Sequence, residues 1–472
     1  MTMKTNSFIS SLVTASIGLS SIFIMRQSSN LVNYRYSATS VEHTSNLLSS
    51  QAPNKPVLLQ ASLKQPVTTA GISIGWVGGI FLVLGAIGYV IVVKKGIVVI
   101  KNDEVGIVIK KFNLNPLTPK LQQGHLIALH GEAGSQAKVL APGSHWGYFP
   151  HMYTVRKEKA IQILPEEIGL VVAKDGANIS PEQVGQHFGK PVECNNFQDA
   201  DAFIKNGGQK GKQLAILQSG TYRINTELFE ITKNSGISIP PDKIGLVIAN
   251  DGATIPLGRQ LGKVVNCNDF QDAHAFIQNG GERGKQLAIL KPGEYDINTE
   301  LFSVYTQSVI NIPQGEIGLV VALDGANKPE QQQLGKVVEC NNFQDAYAFI
   351  QNGGQKGRQL AILTSGVYQI NTNLFTVITA ANATQYGMNK SDLRVYTIEA
   401  GNIGIVTTYD GIPIQSDEIA GAPVDGHNNF QNGQKFIDGK GRRGLQEEIL
   451  PPGSWNINPW FASVEQVELT DV

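Results

Sequence analysis

A repeated sequence module is the feature that most constrains how this chain folds. Copies of one pattern begin at Val105, Ile168, Ile244, Ile317 and Ile403, and the first and last copies are the most divergent. The three central copies share an Ile-Gly-Leu-Val start, an Asp-Gly pair, a Phe-Gln-Asp-Ala segment and an Ile-Asn-Thr segment. Tandem units of this size bury their apolar faces against their neighbours, so the pattern predicts an array of packed modules.

The copy that begins at Ile317 illustrates the local structure expected for each module. An apolar, β-branched run over residues 317–323 predicts a strand, and the Asp-Gly pair at 324–325 predicts a tight turn. Further strands are predicted at residues 334–340, 359–363 and 368–370. The predicted fold class is therefore α+β, mainly β, built from tandem small β-rich modules.

One short helix is predicted inside each module. In the copy that begins at Ile317, Asn341 or Asn342 is placed to cap the N-terminus of this helix, because an Asn side chain accepts a hydrogen bond from a free backbone amide. Gly353 and Gly354 are placed to end it. Its predicted apolar face consists of Phe343, Ala346, Phe349 and Ile350.

Three cysteines, Cys194, Cys267 and Cys340, occupy the same place in successive modules. A disulfide requires Cα atoms within about 7 Å, and equivalent sites lie a full module apart, so we expect no intrachain disulfide. Each cysteine precedes the predicted helix, whose N-terminal dipole would lower a thiol pKa, whereas the other interpretation is a small buried residue. His427 holds this place in the last module, which argues against a redox role.

An uncharged, apolar run from Gly71 to Val93 predicts a transmembrane helix. At about 1.5 Å per residue the run spans roughly 34 Å, which is enough for a hydrocarbon core of about 30 Å. More lysines follow the run closely than precede it, so we expect the repeats on the cytoplasmic side of a cell membrane. Gly71, Gly75 and Gly79 lie on one face of this helix and form a candidate site for helix packing in the membrane.

The predicted organisation combines a membrane region with five modules. Residues 1–25 are either a signal sequence or a first transmembrane helix, so the chain is expected to pass the membrane once or twice. Residues 26–70 are rich in polar residues and predict a disordered tether. The remaining parts are the membrane helix at 71–93, a degenerate first module at 94–164, modules at 165–239, 240–312 and 313–378, a polar linker at 379–394 and a last module at 395–472.

Motifs for catalysis or cofactor binding do not stand out. The segment from Gly207 to Lys212 resembles a phosphate loop, but Gln213 follows it and the predicted order is helix into strand, so we expect an ordinary turn. The histidines of the first module lack the spacing of metal ligands. With 38 basic and 39 acidic residues the net charge is −1, which predicts no nucleic-acid partner. We expect no enzyme activity, no cofactor and no metal site.

The motifs resemble the repeat modules of bacterial flotillin-like proteins of the SPFH (band 7) superfamily. The last module carries this resemblance most specifically, in Gly-Ile-Val-Thr-Thr at 404–408, His-Asn-Asn-Phe-Gln at 427–431, Gly-Arg-Arg-Gly-Leu-Gln at 441–446 and Pro-Gly-Ser-Trp-Asn-Ile-Asn-Pro-Trp-Phe at 452–461. The resemblance implies a non-enzymatic scaffold that forms homo-oligomers on membranes, associates with lipid and with other SPFH proteins, and organises membrane domains. The SPFH core and coiled coil that follow in such proteins are absent from this sequence.

Two functions remain open from the sequence. The first is a membrane-anchored scaffold that self-associates and organises membrane domains or protein assemblies. The alternative is a tethered array in which each module binds the same protein or lipid partner, so that local concentration raises the overall affinity.

Overall fold

The structure is a computed structural model that describes residues 79, 83–90, 95–113, 117–179 and 187–469. Within these residues the chain folds into five successive small units, which are mainly β with few short helices. The predicted α+β, mainly β class and the tandem arrangement are therefore confirmed. The predicted segments 1–25 and 26–70, together with Gly71 and Gly75, lie outside the described residues.

The three central repeats share one order of elements, in which a short strand and a long strand precede a helix, and three more strands follow it. The second repeat contains β7 (Ile161–Ile163), β8 (Glu167–Ala173), α1 (Ala200–Lys205), β9 (Gly211–Leu217), β10 (Gly220–Tyr222) and β11 (Phe229–Ser235). The third contains β12 (Ile237–Ile239), β13 (Lys243–Ala249), α2 (Ala273–Gln278), β14 (Gly284–Leu290), β15 (Gly293–Tyr295) and β16 (Phe302–Ser308). The fourth contains β17 (Ile310–Ile312), β18 (Gly318–Ala322), α3 (Ala346–Gln351), β19 (Gly357–Leu363), β20 (Gly366–Tyr368) and β21 (Phe375–Ile378).

The two outer repeats vary this order. The first contains β1 (Val98–Ile100), β2 (Glu104–Lys110), β3 (Ile127–Ala128), β4 (Gly134–Gln136), β5 (Gly143–His145) and β6 (Tyr153–Lys159). The fifth contains β22 (Tyr396–Ile398), β23 (Asn402–Thr408), β24 (Ile412–Pro413), α4 (Gly433–Asp438), β25 (Arg442–Leu450), β26 (Gly453–Trp455) and β27 (Ala462–Glu468). The prediction of one helix per module is wrong for the described part of the first repeat, because its connection from β2 to β4 is much shorter than the segment that holds α1.

Each repeat places its longest apolar strand at the centre of an antiparallel sheet. In the third repeat β13 lies between β14 and β16, and the same order recurs around β8 and β18. The short strand that opens each repeat pairs with the short strand that follows the first long strand after the helix. In the third repeat, β12 pairs in this way with β15, which follows β14. Because β12 precedes residue 240 and pairs downstream, the third structural unit starts a few residues before that position.

Three phenylalanines fill the core of each central repeat. In the third repeat the ring of Phe302 lies 4.9 Å from that of Phe276 and 5.2 Å from that of Phe270, in edge-on arrangements that aromatic rings favour. Gly281, which follows α2, has to lack a side chain, because a Cβ there would lie 2.5 Å from the Phe276 ring. The corresponding glycine meets the corresponding phenylalanine in the second, fourth and fifth repeats. Core packing therefore explains part of the repeated sequence.

Two local predictions for the fourth repeat are wrong. Residues 334–340 form an irregular segment with one bridge, from Gly335 to Gln359, and not a strand. The helix cap is Asp345, whose carboxylate accepts a 2.8 Å hydrogen bond from the amide of Ala348. Asn341 and Asn342 lie in left-handed backbone conformation in the turn before it, which Asn tolerates better than most residues.

The predicted polar linker at 379–394 is a packed segment. It contains two short 3-10 helices at Ala383–Tyr386 and Lys390–Leu393. Ala383 and Leu393 are buried against Ile317 and Leu319 of the fourth repeat. The backbone carbonyl oxygen of Leu393 also accepts a 2.9 Å hydrogen bond from the amide of Ile317. This segment therefore covers part of the sheet that the shorter β21 leaves open, which the polar composition did not indicate.

Of the predicted membrane helix at 71–93, the structure describes residue 79 and residues 83–90. These residues are helical and exposed, and Gly79 has open space around its Cα. Across the described residues, no helix has both the length and the apolar character needed to cross a membrane.

Candidate interaction surface at the repeat junctions

A buried asparagine side chain joins each repeat to the one before it. The amide of Asn298 donates hydrogen bonds of 3.1 and 2.9 Å to the backbone carbonyl oxygens of Gln213 and Leu214 in the second repeat. Only 1% of Asn298 is exposed, so these bonds are shielded from water. The same pair of bonds is made by Asn225, Asn371 and Asn458 at the other three junctions.

An aspartate carboxylate makes a second polar link at every junction. Asp324 belongs to the Asp-Gly turn of the fourth repeat, where it accepts a 2.8 Å hydrogen bond from the amide of Gly325. Its other oxygen accepts a 2.7 Å hydrogen bond from the amide of Gln260 in the third repeat. The equivalent carboxylates of Asp175, Asp251 and Asp410 accept amides of the preceding repeat in the same way.

Apolar side chains complete the junctions by entering the core of the following repeat. Leu261 and Leu287 of the third repeat belong to the same buried cluster as Phe343 and Phe349 of the fourth. Phe188 and Leu214 take these positions between the second and third repeats, and Leu334 and Leu360 between the fourth and fifth. Each repeat therefore contributes apolar side chains to the core of the next one, as packing of the apolar faces predicted.

The pKa of Asp175 shows the electrostatic character of the first junction. Burial alone would raise this pKa, but hydrogen bonds from the amides of Leu126, Ile127 and Gly176, together with the side chain of His125, outweigh burial and lower it. Nδ1 of His125 lies 3.0 Å from the carboxylate. Two of these donors, and His125, belong to the first repeat, so the junction itself stabilises the ionised carboxylate.

Shallow cavities lie where the helix of one repeat meets the hairpin of the previous one. A cavity of about 350 Å³ between the third and fourth repeats is lined by Leu287, Ile289, Gln344 and Tyr347. A cavity of about 360 Å³ occupies the same place between the second and third, where His274 replaces the tyrosine. A groove of the same kind therefore recurs at these two junctions, but the side chains that line it differ between the two copies.

The three cysteines belong to the core and not to these grooves. Cys194, Cys267 and Cys340 are free and buried, in agreement with the interpretation as small buried residues. The alternative interpretation, a thiol pKa lowered by the helix dipole, is wrong, because burial raises the pKa of all three thiols, more than the nearby amide of a phenylalanine lowers it. In the fifth repeat Nδ1 of His427 accepts a 2.8 Å hydrogen bond from the amide of Phe430. Both residue types therefore support the turn that precedes the helix.

The segment that resembled a phosphate loop forms the predicted turn. It connects the end of α1 to the start of β9. The side-chain amide Nε2 of Gln213, which follows it, donates 2.8 Å hydrogen bonds to the backbone carbonyl oxygens of Gln209 and Gly211. This segment therefore forms the turn between α1 and β9, and the side chain of Gln213 holds the turn in place.

The sequence analysis did not identify the junction asparagines and aspartates as interaction residues, although the Ile-Asn-Thr and Asp-Gly motifs that contain them are visible in the sequence.

No protein-family model matches this chain, and no curated protein sequence is significantly similar to it. The resemblance to flotillin-like SPFH proteins therefore stays a prediction from motifs. The recurring junctions and grooves are the observations from which a function can be argued.

Proposed function

We propose that this chain is a membrane-anchored, flotillin-like scaffold whose repeats associate laterally with other copies. The observation that carries the proposal is the junction, which repeats the same buried hydrogen bonds and apolar contacts four times. Contacts of this kind fix each repeat on its neighbour, so corresponding surfaces recur at set positions along the array. A series of equivalent surfaces suits assembly with copies of the same chain.

Long edge strands supply a surface for such assembly. β6, β11, β16 and β27 each lie at the edge of their sheet, with the outer side unpaired among the described strands. Exposed edges pair readily with another chain, and proteins usually protect them with charged residues. β16 has the sequence Phe-Ser-Val-Tyr-Thr-Gln-Ser and carries no charge. Its Tyr305 is 58% exposed, which leaves this edge the least protected of the long ones.

The membrane part of the proposal comes from the sequence. The uncharged run at 71–93 is long enough to cross a bilayer, and the lysines that follow it favour a cytoplasmic array. The resemblance to SPFH modules adds the expectation that such assemblies organise the surrounding lipid and protein, and that other SPFH proteins join them.

Cross-linking of the full chain in lipid vesicles tests the proposal. We expect wild-type protein to give cross-linked dimers and larger species, and Tyr305→Lys to reduce them strongly, because a lysine on an edge strand opposes pairing. Leu257→Lys is the matched control, since Leu257 is fully exposed but lies outside the strands. Wild-type protein that remained monomeric in vesicles would refute the proposal.

The grooves favour the alternative function, a tethered array that binds several copies of one partner. Tyr347 is 47% exposed and borders cavities on both sides of α3. If the array captures a partner from a membrane extract, Tyr347→Lys weakens that capture while Leu257→Lys leaves it unchanged. Self-association that survives Tyr305→Lys, together with such a loss, would favour this alternative.

A further inference from the structure

The leading end of the first repeat carries aromatic residues where the other repeats carry the polar residues of their junctions. Phe149 occupies the place of the junction asparagine, because its carbonyl oxygen accepts a 2.9 Å hydrogen bond from the amide of Tyr153 as that of Asn298 does from Phe302. A phenyl ring cannot donate to backbone carbonyl groups, so this end lacks the asparagine contact that joins every other pair of repeats.

The junction aspartate is also replaced. A shared hydrogen bond identifies the equivalent positions. The backbone amide of Lys111 donates to the carbonyl oxygen of Met152, as the backbone amide of Asn250 donates to that of Leu301 in the third repeat. The next residue is Phe112 in the first repeat and the junction residue Asp251 in the third. Phe112 is 43% exposed, so an apolar ring faces outward where a buried carboxylate would otherwise receive an amide.

Trp146 is the third replacement. It follows β5 directly, as Arg223 follows β10 and Asp296 follows β15. The guanidinium of Arg223 donates a 3.1 Å hydrogen bond to the carbonyl oxygen of Asn102 in the preceding repeat, so this position contacts a preceding neighbour. Trp146 is 66% exposed, so it adds a large apolar ring to the surface of this end.

These three residues, Phe112, Trp146 and Phe149, form what we call the aromatic end. The segments that carry them are close, because Nζ of Lys111, next to Phe112, donates a 2.6 Å hydrogen bond to the carbonyl oxygen of Pro150, next to Phe149. The Phe149 ring also packs over Gly96. Lys95 and Lys111 are exposed beside them. The aromatic end therefore combines apolar rings with positive charge.

We propose that the aromatic end lies in the interfacial region of a bilayer that contains anionic lipid. Trp is enriched at the level of lipid headgroups, where its ring is apolar and its N–H is polar, and lysines near an anionic leaflet are attracted to it. The uncharged run at 71–93 is followed directly by Lys94 and Lys95, and a membrane helix there would bring this end of the array to the membrane surface. A further repeat of this type would not dock in front of the first one, because the first repeat lacks the asparagine and the aspartate that bind a preceding repeat.

The proposal rests on the membrane anchoring in the proposed function and adds a second contact with lipid. It predicts that Trp146 contacts lipid while the opposite end of the array does not. The chain contains four tryptophans, so single-tryptophan variants report on individual sites. The test variant keeps Trp146 and carries Trp76→Phe, Trp455→Phe and Trp460→Phe. The control variant keeps Trp455 and carries Trp76→Phe, Trp146→Phe and Trp460→Phe.

Both variants are reconstituted as full chains in vesicles of phosphatidylcholine and phosphatidylserine whose acyl chains are brominated near the headgroup. We expect the lipid bromines to quench Trp146 and to leave Trp455 unaffected. The emission of Trp146 should also lie at shorter wavelength, because lipid is a less polar environment for the indole than water. Lys95→Glu should reduce the quenching of Trp146, and replacing phosphatidylserine with phosphatidylcholine should do the same, because both remove attraction between the lysine and the surface.

Quenching of Trp146 by aqueous acrylamide but not by bromolipid would overturn the proposal and place the aromatic end in water. Trp146 that was protected from both quenchers and cross-linked to a second copy would overturn it in favour of a protein contact. Cross-linking in the same vesicles reports lateral assembly separately. Loss of assembly with Trp146 still quenched would refute the scaffold alone, and a chain that failed to enter vesicles would refute both proposals.

Discussion

The side-chain amide of Asn298 donates a 2.9 Å hydrogen bond to the backbone carbonyl oxygen of Leu214, 84 residues earlier in the chain. This single bond crosses from the third repeat to the second, and its counterparts cross the other three junctions. Because the bond is buried and recurs, it links the sequence repeat to the way in which the repeats pack. The predictions below concern the contacts of these junctions and the core beside them.

Removing the amide of Asn298 should destabilise the array. In Asn298→Ala the carbonyl groups of Gln213 and Leu214 lose a buried donor, and leaving buried polar groups unsatisfied costs about 1–3 kcal/mol. Urea unfolding of the full chain measures this loss. Asn250→Ala is the control, since Asn250 is exposed and its bonds stay within one repeat. Equal stability of the two variants would contradict the role of Asn298.

The apolar part of a junction should carry more energy than its polar part. Leu287 extends from the third repeat into the core of the fourth, so Leu287→Ala leaves a cavity and should lower the free energy of unfolding by about 2–5 kcal/mol. Leu257→Ala, at a fully exposed site in the same repeat, should change it by less than about 0.5 kcal/mol. Comparable losses in the two variants would mean that Leu287 does not couple the repeats.

The first junction should weaken in acid. The folded-state pKa of Asp175 is lowered, so its ionised form contributes stability above the unfolded-state value of about 3.9. This contribution is lost as the pH falls through that value and then through the folded-state pKa. Asp175→Asn should therefore be less stable than wild type at neutral pH, and the difference should shrink below about pH 4.

Urea midpoints measured across this pH range test the sign of the effect. Asp242→Asn provides the control, because Asp242 is exposed and is not one of the aspartates whose carboxylates join the repeats. A difference between Asp175→Asn and wild type that stayed constant down to pH 3 would rule out the carboxylate of Asp175 as the titrating group.

The three cysteines should resist alkylation in the native state. Cys194, Cys267 and Cys340 are buried, and burial raises the pKa of each thiol, so little reactive thiolate is present at neutral pH. Mass spectrometry after brief exposure to a maleimide should find these cysteines unlabelled, and labelled once urea unfolds the chain. Fast labelling of any one of them in native protein would show that its repeat opens independently.

The sequence predicted what depends on local pattern. The apolar run that becomes β18, the turn at Asp324 and Gly325, the end of the helix at Gly353 and the strand β19 all follow from alternation and turn chemistry. The sequence predicts Asn341 or Asn342 as the cap, because Asn favours both helix caps and left-handed turns. Only the position of Asp345 relative to the helix distinguishes the two roles.

Long-range partners were beyond local pattern. Asn298 was visible in the Ile-Asn-Thr motif, but nothing near it in the sequence identifies the carbonyl groups of Gln213 and Leu214 as its acceptors. The linker at 379–394 was read as polar because most of its residues are, whereas a few apolar positions decide how it packs. The aromatic end required comparison of equivalent positions in the folded repeats.

Hydrogen exchange at the amides that cross the junctions tests most directly whether the repeats form one continuous array. The amides of Leu126, His187, Gln260 and Leu334 each donate to the aspartate of the next repeat. We predict that mass spectrometry of the native full chain finds these amides protected about as strongly as those of the neighbouring central strands. Exchange at the rate of an unstructured peptide, with the central strands still protected, would mean that the repeats fold separately and would contradict the account.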